Sequence, residues 1–432
     1  MPAKRVVIST FGSLGDVFPY VAIAKELIER GVSVAIATTR DRQPMLELHG
    51  VDWIEVGAEV KPLFEADPTL MTRMMDEKLG TELVLRDLIM KGLRPRYEQL
   101  LAATENADLL ITHTLAYHAL LVARTRNLPF ISTILAPLNF WSKHDPPAMY
   151  KTMWLPKMHR IWGATVSGAM MKQMSKHVYP WGEPYRELQR ELGMDVDERN
   201  VFFEGQFSPV KNLGLFSPLF GPPQADWPPN AVATGFPFLD HEEAMPEETR
   251  DRLREFLQNG DAPVVFTLGS SAVWTAGTFY EDSIEALQAC GLRGVLLVGQ
   301  QEANNMPAQL PESIIAVDYL PHSLIFRHAR AIVHQGGVGT TAQALRSGNP
   351  QLVVPWSHDQ FDNAQRVERL GCGLRMMRKK YNARTACSML RQLCSGAYRA
   401  RSMEIGKKIE AENGAEKAAN EIMEVLNKEV HA

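Results

Sequence analysis

The chain reads as an α/β protein built from two successive doubly wound parallel sheets. Three observations carry that reading. Short apolar runs of strand length alternate with helical stretches along the sequence, the pattern of parallel strands joined by crossover helices. The series restarts after Gly235-Phe236-Pro237. At 432 residues the chain is too long for one ordinary core, so two domains are expected, residues 1–238 and 239–409.

Arg5 to Thr10 is a fully buried first strand. Val17 to Arg30 puts Val21, Ala24, Leu27 and Ile28 on one helical face, with Gly31 as its stop. Val32 to Thr38 is the second strand, and Leu109 to Thr112, Phe130 to Leu135 and Leu213 to Phe216 follow in the same sheet. The second sheet takes Val264 to Leu268, Gly294 to Val298, Ile314 to Val317, Ala331 to Val333 and Leu352 to Val354. Phe236 to Glu248, rich in proline and acid, is the expected linker; Gly221 to Asn230 wraps a surface; Ala400 to Val430 is a charged helical tail. Two such halves imply a cleft, with ligands at the carboxyl ends of the strands.

Composition narrows the function. Lys+Arg 46 against Asp+Glu 50 gives a net charge of −4, which argues against a general nucleic-acid binder. Hydrophobic residues make up 45% and charged residues 22%, as in soluble globular proteins. No apolar run approaches the ~20 residues of a membrane span. The opening residues do not read as a signal peptide, and Cys290, Cys372, Cys387 and Cys394 have no metal-ligand spacing and read as reduced thiols. A cytoplasmic protein is expected.

The most informative segment is His334-Gln335-Gly336-Gly337-Val338-Gly339-Thr340-Thr341. A buried strand runs into a glycine cluster, and a helix begins at about Thr340. Glycines let the backbone approach a ligand, and the free N–H groups of a helix start favour an anion, most often phosphate. A second strand, Gln351 to Pro355, ends in a polar tip with His358, Asp359 and Gln360. Such a tip suits a polyhydroxylated ligand. A diphosphate joined to a sugar is the simplest ligand that uses both features. Leu268-Gly269-Ser270-Ser271 is a weaker turn whose hydroxyls could reach the same diphosphate, or merely cap a helix.

Phe11-Gly12-Ser13-Leu14-Gly15-Asp16 follows the first strand. It lacks the G-x-G-x-x-G fingerprint, which excludes an ordinary dinucleotide site and a dehydrogenase. Asp16 is read either as a helix cap, with Pro19 in the first turn, or as a general base near an acceptor hydroxyl. Asp195-Val196-Asp197 follows no buried strand and reads as a solvated turn. His322 and His328 fit no zinc pattern, and no catalytic metal is expected. Phe140 to Gly182 holds Trp141, Trp154, Trp162, Trp181 and many methionines. Three readings stay open there: an acceptor pocket, core packing of two helices, and membrane-surface contact through Lys143, Lys151, Lys157 and Lys172.

These motifs resemble the GT-B glycosyltransferases that use nucleotide-diphosphate sugars and glycosylate small molecules. The likeness is densest at Tyr319-Leu320-Pro321-His322-Ser323-Leu324, at 334–341 and at 350–363. Gly12 to Tyr20, Leu215-Phe216-Ser217 and Asp226 to Asn230 are similar to the bacterial sterol-glucosyltransferase-like and rhamnosyltransferase-like members. The resemblance implies two Rossmann-like domains facing each other across a cleft, the first binding the acceptor and the second the nucleotide sugar, with the C-terminal helix 410–432 packing back on the first. It assigns the pyrophosphate to His334, Gly337, Val338, Gly339, Thr340 and Ser270 or Ser271. It assigns the sugar hydroxyls to Asp359 and Gln360, and the base to the edge of Tyr319 and Leu320. Plant relatives stack a Trp where this chain has Tyr319, and place a ribose-binding Glu one position from Gln343. They use a histidine base, where this chain resembles antibiotic-pathway and sterol-type relatives in offering Asp16. Ser13, His113, Phe140, Trp141, Met149 and Met153 are expected on the acceptor side.

The implied function is metal-independent, inverting transfer of a hexose from a UDP- or dTDP-sugar, which serves as substrate beside no bound cofactor. The acceptor is a hydroxyl of a hydrophobic small molecule. A sugar-nucleotide epimerase and a non-catalytic nucleotide-sugar-binding subunit are the alternatives.

Overall fold

The computed structural model describes residues 3–58, 67, 69–240, 246–299, 306–307 and 309–428. The chain forms two compact units. The first comprises Met1–Met74, Lys78–Leu239 and Glu412–Ala432, and the second Met75–Glu77 and Asp240–Ala411. Residues 241–245 of the expected linker lie outside the described residues.

The first unit holds seven strands: β1 (Arg5–Ser9), β2 (Ser33–Thr38), β3 (Asp52–Glu55), β4 (Leu109–His113), β5 (Phe130–Ile134), β6 (Lys211–Gly214) and β7 (Ala231–Ala233). They pair in parallel in the order β3-β2-β1-β4-β5-β6-β7. Val7 sits between Ala35 and Leu110, and Val6, Val7 and Ile8 are fully buried. That is why the central strands read as unbroken apolar runs: helices cover both faces of a parallel sheet. The strand order reverses between β1 and β4, which makes their carboxyl ends the natural ligand crevice.

Helix α1 (Leu14–Glu29) follows β1 and starts three residues earlier than its apolar face indicates. Pro19 therefore lies past the first turn, where it removes a backbone hydrogen bond. Helix α2 (Tyr117–Arg126) follows β4. Helix α3 (Leu155–Val178) buries only Leu155, Ser167 and Met171, and its helical geometry breaks at Gly163, φ 73°. The aromatic and methionine-rich segment is thus split. Phe140 is core, stacked on Trp227 at 4.0 Å between ring centres, and Trp141 stacks on Phe203 at 4.2 Å, whereas Trp154 and Trp162 are exposed. Asp197 uses its carboxylate on the Arg199 backbone N–H and guanidinium.

The second unit holds β8 (Val264–Thr267), β9 (Gly294–Leu297), β10 (Ile314–Val317), β11 (Ala331–His334), β12 (Gln351–Val353) and β13 (Gly373–Arg375). Their order is β10-β9-β8-β11-β12-β13, again all parallel. The reversal here falls between β8 and β11. Flanking helices include α4 (Phe279–Cys290), α5 (Val338–Arg346), α6 (Gln360–Leu370), α7 (Ala383–Leu393) and α8 (Ala397–Glu410).

The helical tail is two helices, not one. α8 ends at Glu410, Asn413 takes a left-handed φ of 51°, and α9 (Gly414–Lys428) begins. α9 buries Ala418, Ala419, Ile422, Val425 and Leu426 in the first unit, where Arg30 donates to Asn420 at 2.8 Å and Lys211 to Glu421 at 2.5 Å. The expectation of four separate thiols is also corrected: Cys290 on α4 and Cys387 on α7 form a disulfide, and only Cys372 and Cys394 are free. Their separation of 97 residues left no sequence signal.

Candidate functional site

Each sheet carries a cluster of candidate residues at its own reversal point. In the first unit, β1 leads through Thr10 to Ser13 into α1, and Asp16 is the third residue of that helix. Asp16 Oδ2 accepts from the Ser13 N–H at 2.7 Å and from the Ser13 hydroxyl at 2.8 Å. This is a capping interaction. Gly12 makes room for it: at φ 135° a Cβ there would lie 2.4 Å from Asp16 Oδ2. The other oxygen, Oδ1, lies 3.6 Å from Nε2 of His113, the last residue of β4. The cap therefore uses one oxygen of the carboxylate and leaves the other facing His113; the carboxylate is 26% exposed.

His113 is almost fully buried and packs edge-to-face on Tyr20. Burial pushes its pKa down, while the Asp16 carboxylate and the Phe11 carbonyl pull the other way. Ser13, expected to face an acceptor, spends its hydroxyl proton on Asp16 instead. Phe140 is likewise removed from that role by its burial among Phe207, Phe216 and Trp227. Trp141, Met149 and Met153 are half-buried.

In the second unit, the turns after β8 and β11 stand side by side. Gly336 has φ 90°, and Gly337 is the N-cap of α5. The helix starts at Val338, two residues before the expected position. Its first intrahelical bond runs from the Thr341 N–H to the Gly337 carbonyl. The N–H groups of Val338, Gly339 and Thr340 precede it and are left for a ligand. A Cβ on Gly269 would lie 2.3 Å from Gln335 Nε2, and one on Gly337 2.9 Å from the same atom. The Gln335 side chain thus lies between the two turns, and Gly269 also has a left-handed φ of 64°. Ser270 is exposed and Ser271 half-buried beside them.

His334 has a different job from the one expected of it. It is fully buried, and its Nδ1 accepts from the Gly336 N–H at 3.0 Å. The neutral ring then carries its proton on Nε2, which donates to Gln351 Oε1 at 2.9 Å. No donor remains for a phosphate. The ring instead pins the peptide of Gly336 and so shapes the turn.

The polar tip is tied to the same turn. Asn363 Nδ2 donates to the Gly336 carbonyl at 2.9 Å and to Asp359 Oδ2 at 2.7 Å. Gln360 Oε1 accepts the N–H groups of Trp356 and Ser357 at 2.8 and 3.1 Å, which leaves its Nε2 donors for a ligand. Tyr319 is 45% exposed, but Leu320 is fully buried among the core residues of this unit, so Leu320 can offer a ligand only its backbone. The sequence reading did not single out Gln335, Gln351 or Asn363 as site residues. Only Asn363 carried a signal, four residues past Asp359 on a helix.

Burial depresses the His334 pKa to about 4 and that of the fully buried His118 to about 3. The unfolded chain takes up these protons near pH 6.5, while the folded chain stays neutral until much lower pH. Stability is therefore complete above about pH 6.5 and falls as pH drops toward 4. His334 alone accounts for about 3 kcal/mol of that loss. Urea midpoints measured across this range should show the decline, and a flat profile would contradict the buried neutral rings.

The comparisons with known proteins agree with this architecture. Residues 6–129 match the glycosyltransferase family 28 N-terminal domain. Residues 292–428 match the C-terminal domain of the erythromycin biosynthesis protein CIII-like family. The sterol 3-beta-glucosyltransferase of Debaryomyces hansenii is 28% identical over 94% of this chain, which spans 26% of that relative's length. Solved structures with the same fold include the spinosyn forosaminyltransferase SpnP (TM-score 0.70, 16% identity, 98% of this chain and 99% of that one). Another is the glycosyltransferase VinC in complex with dTDP (TM-score 0.68, 20% identity, 98% and 100%). The fold and the paired turns define a GT-B protein. The chain is similar to the GT-B glycosyltransferases, with sterol 3-beta-glucosyltransferases among its relatives.

Proposed function

We propose that the protein transfers a hexose from a UDP- or dTDP-sugar to a hydroxyl of a hydrophobic small molecule, with inversion at the anomeric carbon. The first unit supplies the acceptor side and the base, and the second holds the donor. Asp16 Oδ1 takes the proton as the acceptor oxygen bonds to the anomeric carbon. The bond from that carbon to the phosphate oxygen breaks, and the departing diphosphate gains charge. The N–H groups of Val338, Gly339 and Thr340, the dipole of α5 and the Ser270 and Ser271 hydroxyls meet that charge. This fixed field does the work that a metal does in other transferases. Asp359 and the Gln360 amide bind sugar hydroxyls, and Tyr319 flanks the base. His334 acts on the phosphate only through Gly336. The sterol 3-beta-glucosyltransferase names of the relatives support an apolar acceptor, and the complexes of VinC with dTDP and of SsfS6 with thymidine diphosphate support a nucleoside diphosphate donor. Such a donor fits a cytoplasmic location.

One observation carries this reading: in each sheet a cluster of candidate residues, Asp16 and His113 in the first and Ser270, Ser271 and residues 334–340 in the second, lies at the strand ends that flank the reversal of strand order, where open α/β sheets bind ligands. The test is thermal unfolding with a panel of activated sugars. The true donor at 100 times its Kd adds ~2.7 kcal/mol of stability. If no UDP- or dTDP-sugar stabilises the protein, the reading fails. With a stabilising donor in hand, slow donor hydrolysis that requires Asp16 separates an enzyme from a binding subunit.

A further inference from the structure

Helix α3 presents the least covered apolar surface of the first unit. Four of the ten large apolar side chains exposed among the described residues belong to it and its N-cap: Trp154 (42%), Ile161 (71%), Trp162 (52%) and Val166 (37%). Ile161 and Trp162 stand next to Gly163, where the helical geometry breaks and where a Cβ would find no atom within 4 Å. This corner points into open space. A soluble surface rarely leaves such large side chains together unless something covers them.

The charge around them is one-sided. Residues 146–182 contain Lys151, Lys157, Arg160, Lys172 and Lys176 but no Asp or Glu, in a chain whose net charge is −4. None of these five cations forms an ion pair among the described residues. Apolar and aromatic side chains on a segment whose charged residues are all cations match an anionic lipid surface: rings enter the headgroup layer and lysines reach the phosphates. A second copy of the chain would bring like charges together, and an uncharged acceptor would leave the cations unused. Among the described residues no helix is long and apolar enough to cross a membrane, so the contact lies in the interface.

We infer that α3 docks the protein on the surface of an anionic bilayer, with Ile161 and Trp162 as its apolar anchors and Lys157, Lys172 and Lys176 as its electrostatic grip. The inference goes beyond the proposed reaction and does not depend on it.

Sedimentation of the full chain with lipid vesicles tests it. The protein should sediment with phosphatidylcholine vesicles that contain phosphatidylglycerol, bind pure phosphatidylcholine far more weakly, and be released by high salt. I161S/W162S should weaken partition at least about tenfold. K157E/K172E/K176E should weaken it about a hundredfold or more, at roughly fivefold for each cation. All five substituted side chains are exposed, and an unchanged thermal transition confirms that each variant is folded. Wild-type protein that stays in solution with both kinds of vesicle overturns the inference, as do variants that partition like wild type. So does a wild-type dimer that I161S/W162S converts to monomer, because a second copy would then be the cover. Donor-induced stabilisation in the same samples reports on the transferase reading alone, so the two can fail separately.

Discussion

The Asp16→Asn variant is expected to turn over about 10²–10⁴-fold more slowly than wild type while binding the donor equally well. Asparagine keeps an oxygen where Oδ2 now accepts the Ser13 N–H and hydroxyl, so the first turn of α1 stays capped. What it loses is the carboxylate whose Oδ1 faces His113 and would receive the acceptor proton. The missing charge also weakens the favourable interaction with the helix start, by about 0.3–1 kcal/mol. That is far less than the effect on rate, so the two consequences separate cleanly. Initial rates at saturating donor, together with calorimetry of donor binding, read both. Turnover equal to wild type would leave Asp16 with the capping role alone. Asp16→Ala is the poorer test, because it removes cap and base together.

The fold was legible wherever a strand is a buried apolar run, the fully buried edge strand Ile314–Val317 included, and illegible at the other three sheet margins. Val264 to Thr267 and Ala331 to His334 lie in the middle of their sheet and are buried throughout, so their sequences are apolar up to the last residue. Asp52–Glu55, Ala231–Ala233 and Gly373–Arg375 went unread, and all three are edge strands. An edge strand is short and partly solvated, so it shows little periodicity. The C-terminal break at Asn413 was missed for a related reason: the helical pattern on either side masks one left-handed residue.

The site divides in the same way. Backbone-built features were readable, because the glycines of 336–339 and Asp16 after a strand announce turn geometry locally. Side-chain partners were not. His334 is committed to Gln351, 17 residues on in the neighbouring strand, and nothing in its own segment announces that. The Gln335 side chain wedged between two glycines and the Asn363 link from Gly336 to Asp359 depend on the packing of β8, β11 and α6 together. Such contacts are a product of the fold, and the residue types alone are compatible with many arrangements.

Gly336→Ala tests whether that fold-built turn is the phosphate cradle. A left-handed backbone costs an alanine about 1–2 kcal/mol. The new methyl group would also lie 2.7 Å from Val353 Cγ1 and 3.1 Å from the Gln360 carbonyl oxygen, which adds about 1–3 kcal/mol of overpacking. The turn cannot slide away to relieve this. Its N–H is held by His334, its carbonyl by Asn363, and Gln360 belongs to the polar tip itself. The strain must therefore displace either the amides of 338–340 or the Asp359-Gln360 tip. Donor affinity should fall at least tenfold, and melting should drop by roughly 5–15 °C for a unit of this size. Gly291→Ala supplies the control. Gly291 also has a left-handed φ, 65°, but a Cβ there meets nothing within 4 Å, so it bears the backbone cost alone and should bind donor normally. Equal donor affinity in the two variants would mean that the nucleoside diphosphate is gripped elsewhere, because a cradle made of those amides cannot tolerate a methyl group at its hinge.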